Sequence, residues 1–330
     1  MAVDTLRGLL PSATRSNVGI YATGQAYEQL LLRMRANPLK EVREIADLVL
    51  EELRKVIPAF LRRVDLPDRG GAWSSYLDRT REETEKAAAR VLAEEPGEPR
   101  PEVTLADFDP EGEVKVVAAA LYAVSYLPDD LLLERARLMS EEERAAVLRA
   151  YVGERSNRRH RPGRAFERTG YRFDVLCDYG AFRDLQRHRL LTIEWQELSP
   201  AHGYEEPPEL EPAGALEDWR RTMEESAALW DELRRAGLGP AAQYGVSMAH
   251  RIRFVMQMNA REAMHLIELR TTPQGHPVYR RVAQEMHRLI EKGAGHRAIA
   301  AAMTFADHSS VELERLEAER RTEARRRSAG

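Results

Sequence analysis

The chain holds a single cysteine, Cys177, among its 330 residues. An intrachain disulfide is therefore excluded, and so is a multi-cysteine metal centre. Cys177 lies in the apolar stretch Asp174-Val-Leu-Cys-Asp, where a thiol more often packs than attacks. No window offers the roughly 18 consecutive apolar residues of a membrane span. Residues 1–7 have no basic segment leading into an apolar run, so no secretory leader is read there. Aromatic residues are scarce at 7%. Neither sign of charge dominates: 50 Lys and Arg face 54 Asp and Glu, a formal net of -4, which gives no global pull toward nucleic acid or an anionic membrane. The expectation is a soluble, cytoplasmic protein of a reducing compartment.

What is abundant is helix-forming sequence, and the 43% hydrophobic content suffices for a sizeable core. Residues 38–64 carry Val42, Ile45, Ala46, Val49 and Leu53 at helical spacing, with Pro38 suited to a first turn. Residues 73–94 read as an exposed, charged helix. Residues 95–112 hold four prolines and two glycines and read as a linker, with Asp109-Pro110-Glu111 opening a helix over 114–126. Strand signals are confined to 17–23, 171–177 and 251–258, which mix β-branched and aromatic residues in rough alternation.

Two segments share a layout. Residues 17–50 and 253–287 each run from a strand through a polar corner into a helix, a proline-bearing turn and a second helix. The first copy reads Gly24-Gln25-Ala26, Arg33-Met34-Arg35, Asn37-Pro38 and Arg43-Glu44; the second reads Asn259-Ala260-Arg261, Glu268-Leu269-Arg270, His276-Pro277 and Arg280-Arg281. An internal duplication is inferred. The domain reading is a half-copy over 1–66, a linker with an exposed helix over 67–112, a full domain over 113–306, and a charged terminal helix or tail over 307–330.

Two clusters could carry chemistry. Arg187-His188-Arg189 follows the strand at 171–177 within an expected helix over 181–191; two guanidiniums flanking an imidazole can grip a pyrophosphate. An exposed basic turn would look the same. Asn259 and Arg261 stand at a strand-to-helix corner where free backbone N–H groups favour anions. His265 follows on the same helix face and Arg270 at the helix end; an ordinary amphipathic surface helix is the plain alternative.

Taken in order, Arg187-His188-Arg189-Leu-Leu-Thr192, then Asn259-Ala-Arg261, His265 and Leu269-Arg270, resemble the motif layout of flavin-dependent thymidylate synthases. His160-Arg-Pro-Gly-Arg-Ala-Phe166-Glu167 is similar to the family's segment before its first strand. The likeness covers about residues 115–305, with 1–66 resembling the later half of a second copy. It implies an α+β fold: a small, mostly antiparallel sheet flanked by long helices, about one and a half copies per chain. It implies FAD as cofactor, held by Arg187, His188, Arg189, Asn259, Arg261 and His265. It implies deoxyuridylate (dUMP) binding through Arg270, Arg280, Arg7 and Arg43, and reductive methylation to dTMP, with NADPH and methylenetetrahydrofolate as co-substrates. No protein nucleophile is needed, and no residue is singled out as catalytic. A resident metal is not expected. Family sites form between subunits, so a homodimer mimicking the family's tetramer is expected, with a small-molecule nucleotide as partner.

The chain departs from the family pattern in two places. After Thr192 it reads Ile193-Glu194-Trp195-Gln196-Glu197-Leu198-Ser199 where the family has Asn-Glu-x-Ser-x-Arg-Tyr. Gln243 stands where the family shows arginine, whereas the half-copy keeps Arg7-Gly-Leu-Leu-Pro11 but has Thr23-Gly-Gln25 at its corner. Two lost charge-assisted contacts, each worth roughly 1.5–3 kcal/mol, would weaken nucleotide binding by orders of magnitude. An inactive paralogue kept for ligand binding or assembly is thus the alternative to a working synthase. The basic run at 155–164 raises a nucleic-acid interface, but it is short, lacks interleaved aromatics and sits in a mildly acidic chain.

Overall fold

The computed structural model describes residues 2–93 and 99–309. Two nine-residue stretches alternate buried and half-exposed side chains, the period that turns one face of a strand to a core. They are Gly170–Asp178 and Arg251–Asn259. With Val103–Phe108 and Thr192–Trp195 they form β2, β4, β1 and β3 of one antiparallel sheet in the order β1-β2-β4-β3. The fold is α+β.

The helices of the described residues are, in chain order, α1 (Ala2–Arg7), α2 (Gly24–Arg35), α3 (Lys40–Arg54), α4 (Pro58–Leu61), α5 (Gly70–Val91), α6 (Gly112–Tyr122) and α7 (Asp129–Leu138). There follow α8 (Glu141–Val152), α9 (Tyr179–Leu185), α10 (Leu216–Arg235), α11 (Gly239–Ala242), α12 (Ala260–Arg270), α13 (Pro277–Arg288) and α14 (Arg297–Ala301). They belong to two compact units, one of residues 1–12, 100–230 and 245–330, the other of 13–99 and 231–244.

The first unit holds the sheet. Cross-strand pairs Tyr171↔Met258, Phe173↔Met256, Val175↔Phe254 and Cys177↔Ile252 lie on one face, and all eight side chains are buried. Helices α6, α9, α12 and α13 pack on this unit's core through Val116, Phe182, Leu266 and Val282 among others. The opposite face carries polar pairs such as Arg172 with Gln257 and Arg253 with Asp174. In the second unit, Leu31, Leu32, Ala46, Leu50, Leu61 and Val64 close a smaller helical core.

Several expected elements moved. The exposed helix expected within the linker over 67–112 is present as α5, but that stretch also contains the edge strand β1, so 103–108 belongs to the sheet. Residues 17–23 form no ladder, and Val18 and Ile20 are exposed at 76% and 59%; strand propensity is realised only beside a partner strand, and none lies there among the described residues. The helix expected over 181–191 ends at Leu185, leaving Arg187, His188 and Arg189 in a loop. Residues 310–330 lie outside the described residues, but 307–309, read as part of the tail, are held against α13 by Arg280.

The two segments with a shared sequence layout also share local devices. Thr23 caps α2 by accepting from the Ala26 amide, and Asn259 caps α12 by accepting from the Glu262 amide. Arg43 donates to the carbonyls of Asn37 and Pro38 in the turn before α3, and Arg280 donates to the Thr271 carbonyl in the turn before α13. Within the first unit, Pro11 pairs with Ser247 as an antiparallel bridge, flanked by Ser12 N–H to Val246 and Met248 N–H to Leu10. Pro11 and Ser247 are 236 positions apart, the same offset as the caps Thr23 and Asn259.

Candidate functional site

The strongest cluster assembles where β4 ends. Asn259, as N-cap, turns the chain from β4 into α12, which places Glu262, His265 and Arg270 on that helix. The loop after α9 brings His188 against them. The His188 side chain is only 2% exposed, with Nδ1 3.2 Å from Glu262 Oε1. Arg270 Nε donates to His188 Nε2 at 3.1 Å. Since a guanidinium has only donors, Nε2 must be the acceptor, which puts the imidazole proton on Nδ1, toward the Glu262 carboxylate. Arg270 also donates to the Asp184 carbonyl, capping α9, and lies 3.7 Å from the Asp184 carboxylate.

His265 stands 5.5 Å from His188, ring centre to ring centre, and Arg161 Nη2 reaches its Nδ1 at 3.4 Å. Burial, followed by the charge of Arg161, pushes the His265 imidazole below its ordinary pKa. His188, Glu262 and His265 together offer the donor set of a two-histidine, one-carboxylate metal site. The hydrogen bonding opposes that use. His188 directs a proton rather than a lone pair at Glu262, and Arg161 and Arg270 add cationic charge to the same place.

Beside this cluster, the ends of β1 and β4 and the starts of β2 and β3 line an open cavity of about 730 Å³, within the usual range for ligand sites. Asn259 lines it, together with Thr169, Arg168, Arg172, Gln257 and Thr192. Arg172 is joined to Gln257, so the polar groups of the wall are partly fixed in advance.

The residues singled out from sequence separate into groups. His188, Arg270 and His265 are brought together, and Asn259 lines the adjoining cavity. Arg187 and Arg189 are exposed on either side of buried His188, with Arg187 3.3 Å from Asp184. Arg261 is turned toward the Pro162 carbonyl and Glu167. Arg280 does not suit a substrate role. It is completely buried, with Nε and Nη2 held by the Thr271 carbonyl, Asp307 and Ser309, while its buried Nη1 has no hydrogen-bond partner among the described residues. Arg43 likewise holds its own turn. Arg7 ends α1 next to Gly8, whose carbonyl accepts from the Ala249 amide just before β4. Asn259 closes the far end of that nine-residue strand, roughly 25 Å away at 3.3 Å per residue. Within one chain, Arg7 therefore does not join the cluster.

Sequence reasoning missed Glu262, Asp184 and the pair Arg155–Glu268. Arg155, the first residue of the basic run, is 2% exposed and donates two 2.6 Å bonds to Glu268, itself 2% exposed. Glu262-x-x-His265 on one helix was the available signal for the first; the others depend on contacts distant in sequence. No helix of the described residues is long and apolar enough to cross a membrane.

The chain is 35% identical over 322 residues to a UPF0159 protein of Chlamydia pneumoniae, and 36% identical over 323 residues to one of Chlamydia muridarum. Those matches cover 97% and 98% of this chain, but it spans only 60% of the length of either relative. A UPF0159 protein of Thermoplasma acidophilum is 30% identical over 320 residues, covering 96% of this chain and 62% of that protein. Among solved structures, the UMP/dUMP methylase PolB of Streptomyces cacaoi, bound with 5-Br dUMP, is similar at 19% identity and a TM-score of 0.46, over 62% of this chain and 96% of that one. The profile of the Thy1 family, described as thymidylate synthase complementing protein, matches residues 104–294. That span begins inside β1, takes in all of β2, β3 and β4, and includes every residue of the His188 cluster, so the chain belongs to the Thy1 family.

Proposed function

We propose that this protein binds FAD and a pyrimidine nucleotide, and that its reaction is the reductive methylation of dUMP to dTMP with methylenetetrahydrofolate as carbon donor. The observation that carries the reading is the 730 Å³ cavity at the end of β4, with Asn259 in its wall and the loop of Arg187 and Arg189 leading into it. The residues present fit a flavin dinucleotide. Arg187 and Arg189 expose their guanidiniums at the surface and would take the phosphates. Asn259 uses its Oδ1 on the helix cap, which leaves Nδ2 as a donor toward the cavity. His188 and Glu262 act behind this front, holding Arg270 in place, so His188 is assigned to positioning rather than to phosphate contact.

Bound reduced flavin would supply the electrons, with NADPH as their source. The chain's part is to orient the two ligands and to complement their charge. Arg168 and Arg172 line the cavity and stand in for the arginine that segment 193–199 lacks. The test is direct: purified protein should show a flavin absorbance band or be stabilised thermally by FAD, and should release tritium from 5-labelled dUMP when reductant and folate are present. The absence of both colour and stabilisation refutes the cofactor assignment.

A second reading is a flavin-binding paralogue without synthase activity. Glu194, exposed on β3, and Gln243 favour it, because a carboxylate there repels a nucleotide phosphate. Flavin binding without tritium release would select this reading.

A further inference from the structure

Residues 307–309 are held to α13 by three side chains that follow at helical spacing and so share one face of that helix. Arg280 donates to the Asp307 carboxylate and to the carbonyl and hydroxyl of Ser309. Gln284 donates to the carbonyls of Asp307 and Ser309. The third side chain is His287, whose Nδ1 lies 2.8 Å from Nε2 of His308, with the ring centres 4.9 Å apart. The two histidines are 21 positions apart, so nothing along the sequence marks them as a pair.

The tautomer of His287 is set by its other ring nitrogen. Nε2 lies 3.1 Å from the Ala300 carbonyl, which can only accept. Nε2 therefore carries the proton, and Nδ1 keeps a lone pair. His308 Nε2 donates to that lone pair. A histidine that gives one ring N–H to a backbone carbonyl and offers the lone pair of the other nitrogen has the arrangement found behind metal ligands. His308 is exposed, and it reaches the ligand form when its proton moves from Nε2 to Nδ1; no proton has to leave. Two nitrogens each about 2.05 Å from one tetrahedral ion lie about 3.3 Å apart. The pair thus needs to open by only about half an ångström, which rotation of the exposed His308 side chain supplies.

The charge around the pair suits a cation. Burial, followed by the neighbouring His287, holds the His308 imidazole below its ordinary pKa, so the ring is neutral at neutral pH. Asp307 and Glu291 act in the opposite direction on it and place negative charge nearby. Arg280 is paired with Asp307, and Arg288, the next residue of α13, with Glu285. Among the described residues no guanidinium or ammonium bonds to either ring. The cluster of His188, Glu262 and His265 differs in this respect, because Arg161 and Arg270 bond to its imidazoles.

We propose that His287 Nδ1 and His308 Nε2 form a site for a transition-metal dication of the Zn²⁺ or Cu²⁺ type, with water in the remaining positions, and that the bound ion staples residues 307–309 to α13. Imidazole pairs suit these ions, whereas Mg²⁺ and Ca²⁺ need a cage of oxygens. The site does not depend on the flavin reading.

The experiment titrates the full chain, stripped with EDTA and dialysed, with ZnCl₂, CuCl₂ and MgCl₂ by calorimetry. The variants are H308A, which alters an exposed ring, H287Q, and H265Q as a control at the other histidine cluster. The wild type should take up one Zn²⁺ or Cu²⁺ per chain and no Mg²⁺. H308A and H287Q should each lose tenfold or more in Zn²⁺ affinity, while H265Q stays within twofold of wild type. Zn²⁺ should raise the melting temperature of the wild type and slow chymotryptic cleavage at Phe305 at least twofold, both reversed by EDTA and both absent in H308A. Zn²⁺ binding that H308A leaves intact, or that H265Q abolishes, overturns the proposal. So does a wild type that binds no Zn²⁺, or one that binds it with cleavage at Phe305 unchanged.

Discussion

Replacing Asp178 by Asn should make the protein more stable, by roughly 4 kcal/mol at pH 8 and by less than half of that at pH 5. Asp178 ends β2 and caps α9, its Oδ1 accepting from the Ala181 amide at 2.9 Å. Its Oδ2 is buried with no hydrogen-bond partner among the described residues. Burial pushes this carboxyl up to about 7, against the hydrogen bond from Ala181 and with the help of nearby Glu205. The folded state thus holds a proton that the unfolded chain, at an ordinary 3.8, gives up earlier. Stability from that proton is complete below about pH 4, falls as pH rises, and is gone above about pH 7. At about 1.4 kcal/mol per pH unit, the full swing is roughly 4 kcal/mol. Asparagine keeps the cap and cannot ionise, so Asp178→Asn removes the slope. Urea unfolding followed by tryptophan fluorescence at pH 5, 6, 7 and 8 reads the difference between the two proteins, which cancels the other titrating groups. Parallel stability curves for wild type and variant across that range would refute the reasoning.

Three further outcomes follow from the same contacts. Glu268→Gln strands the buried Arg155 charge and should cost about 3–5 kcal/mol, whereas the double change R155M/E268L should cost less than the single one; calorimetric melting that places the single variant within 1 kcal/mol of wild type, on the order of surface effects, rejects a structural pair. Arg280→Met should open segment 304–309, seen as faster limited proteolysis there, with FAD affinity unchanged; loss of binding with the segment still protected would restore Arg280 to the ligand. Asn259→Asp keeps the oxygen that caps α12 and should retain stability while weakening FAD, whereas Asn259→Ala should also lose about 1 kcal/mol of cap stabilisation; equal flavin affinity in Asn259→Asp and wild type would remove Nδ2 from the site.

Through its resemblance to a known family the sequence implied the α+β class; by itself it determined the two central strands and the corner at Asn259. These rest on signals written along the chain: period-two alternation in β2 and β4, and a capping side chain followed by helical spacing. It also fixed the family, because Arg187, His188, Arg189, Asn259, Arg261 and Arg270 keep their order and spacing. Edge strands β1 and β3 were not legible. One lies in a proline-rich stretch and the other has four residues, and short edges become strands only when a neighbour supplies hydrogen bonds. The reverse error occurred at 17–23, where the pattern of a strand is present and its partner is not.

What each arginine does was decided by the tertiary structure alone. Arg187, Arg280 and Arg155 are equally basic in the sequence, yet one is exposed, one is wholly buried across a turn, and one is locked to Glu268. A guanidinium presents the same five donors everywhere. Its role follows from which acceptors reach it and whether water does, and both are set by residues up to 147 positions away. Arg187-His188-Arg189 therefore named a family from the sequence, while only the fold showed that His188 turns inward to hold Arg270 and that its two neighbours remain at the surface.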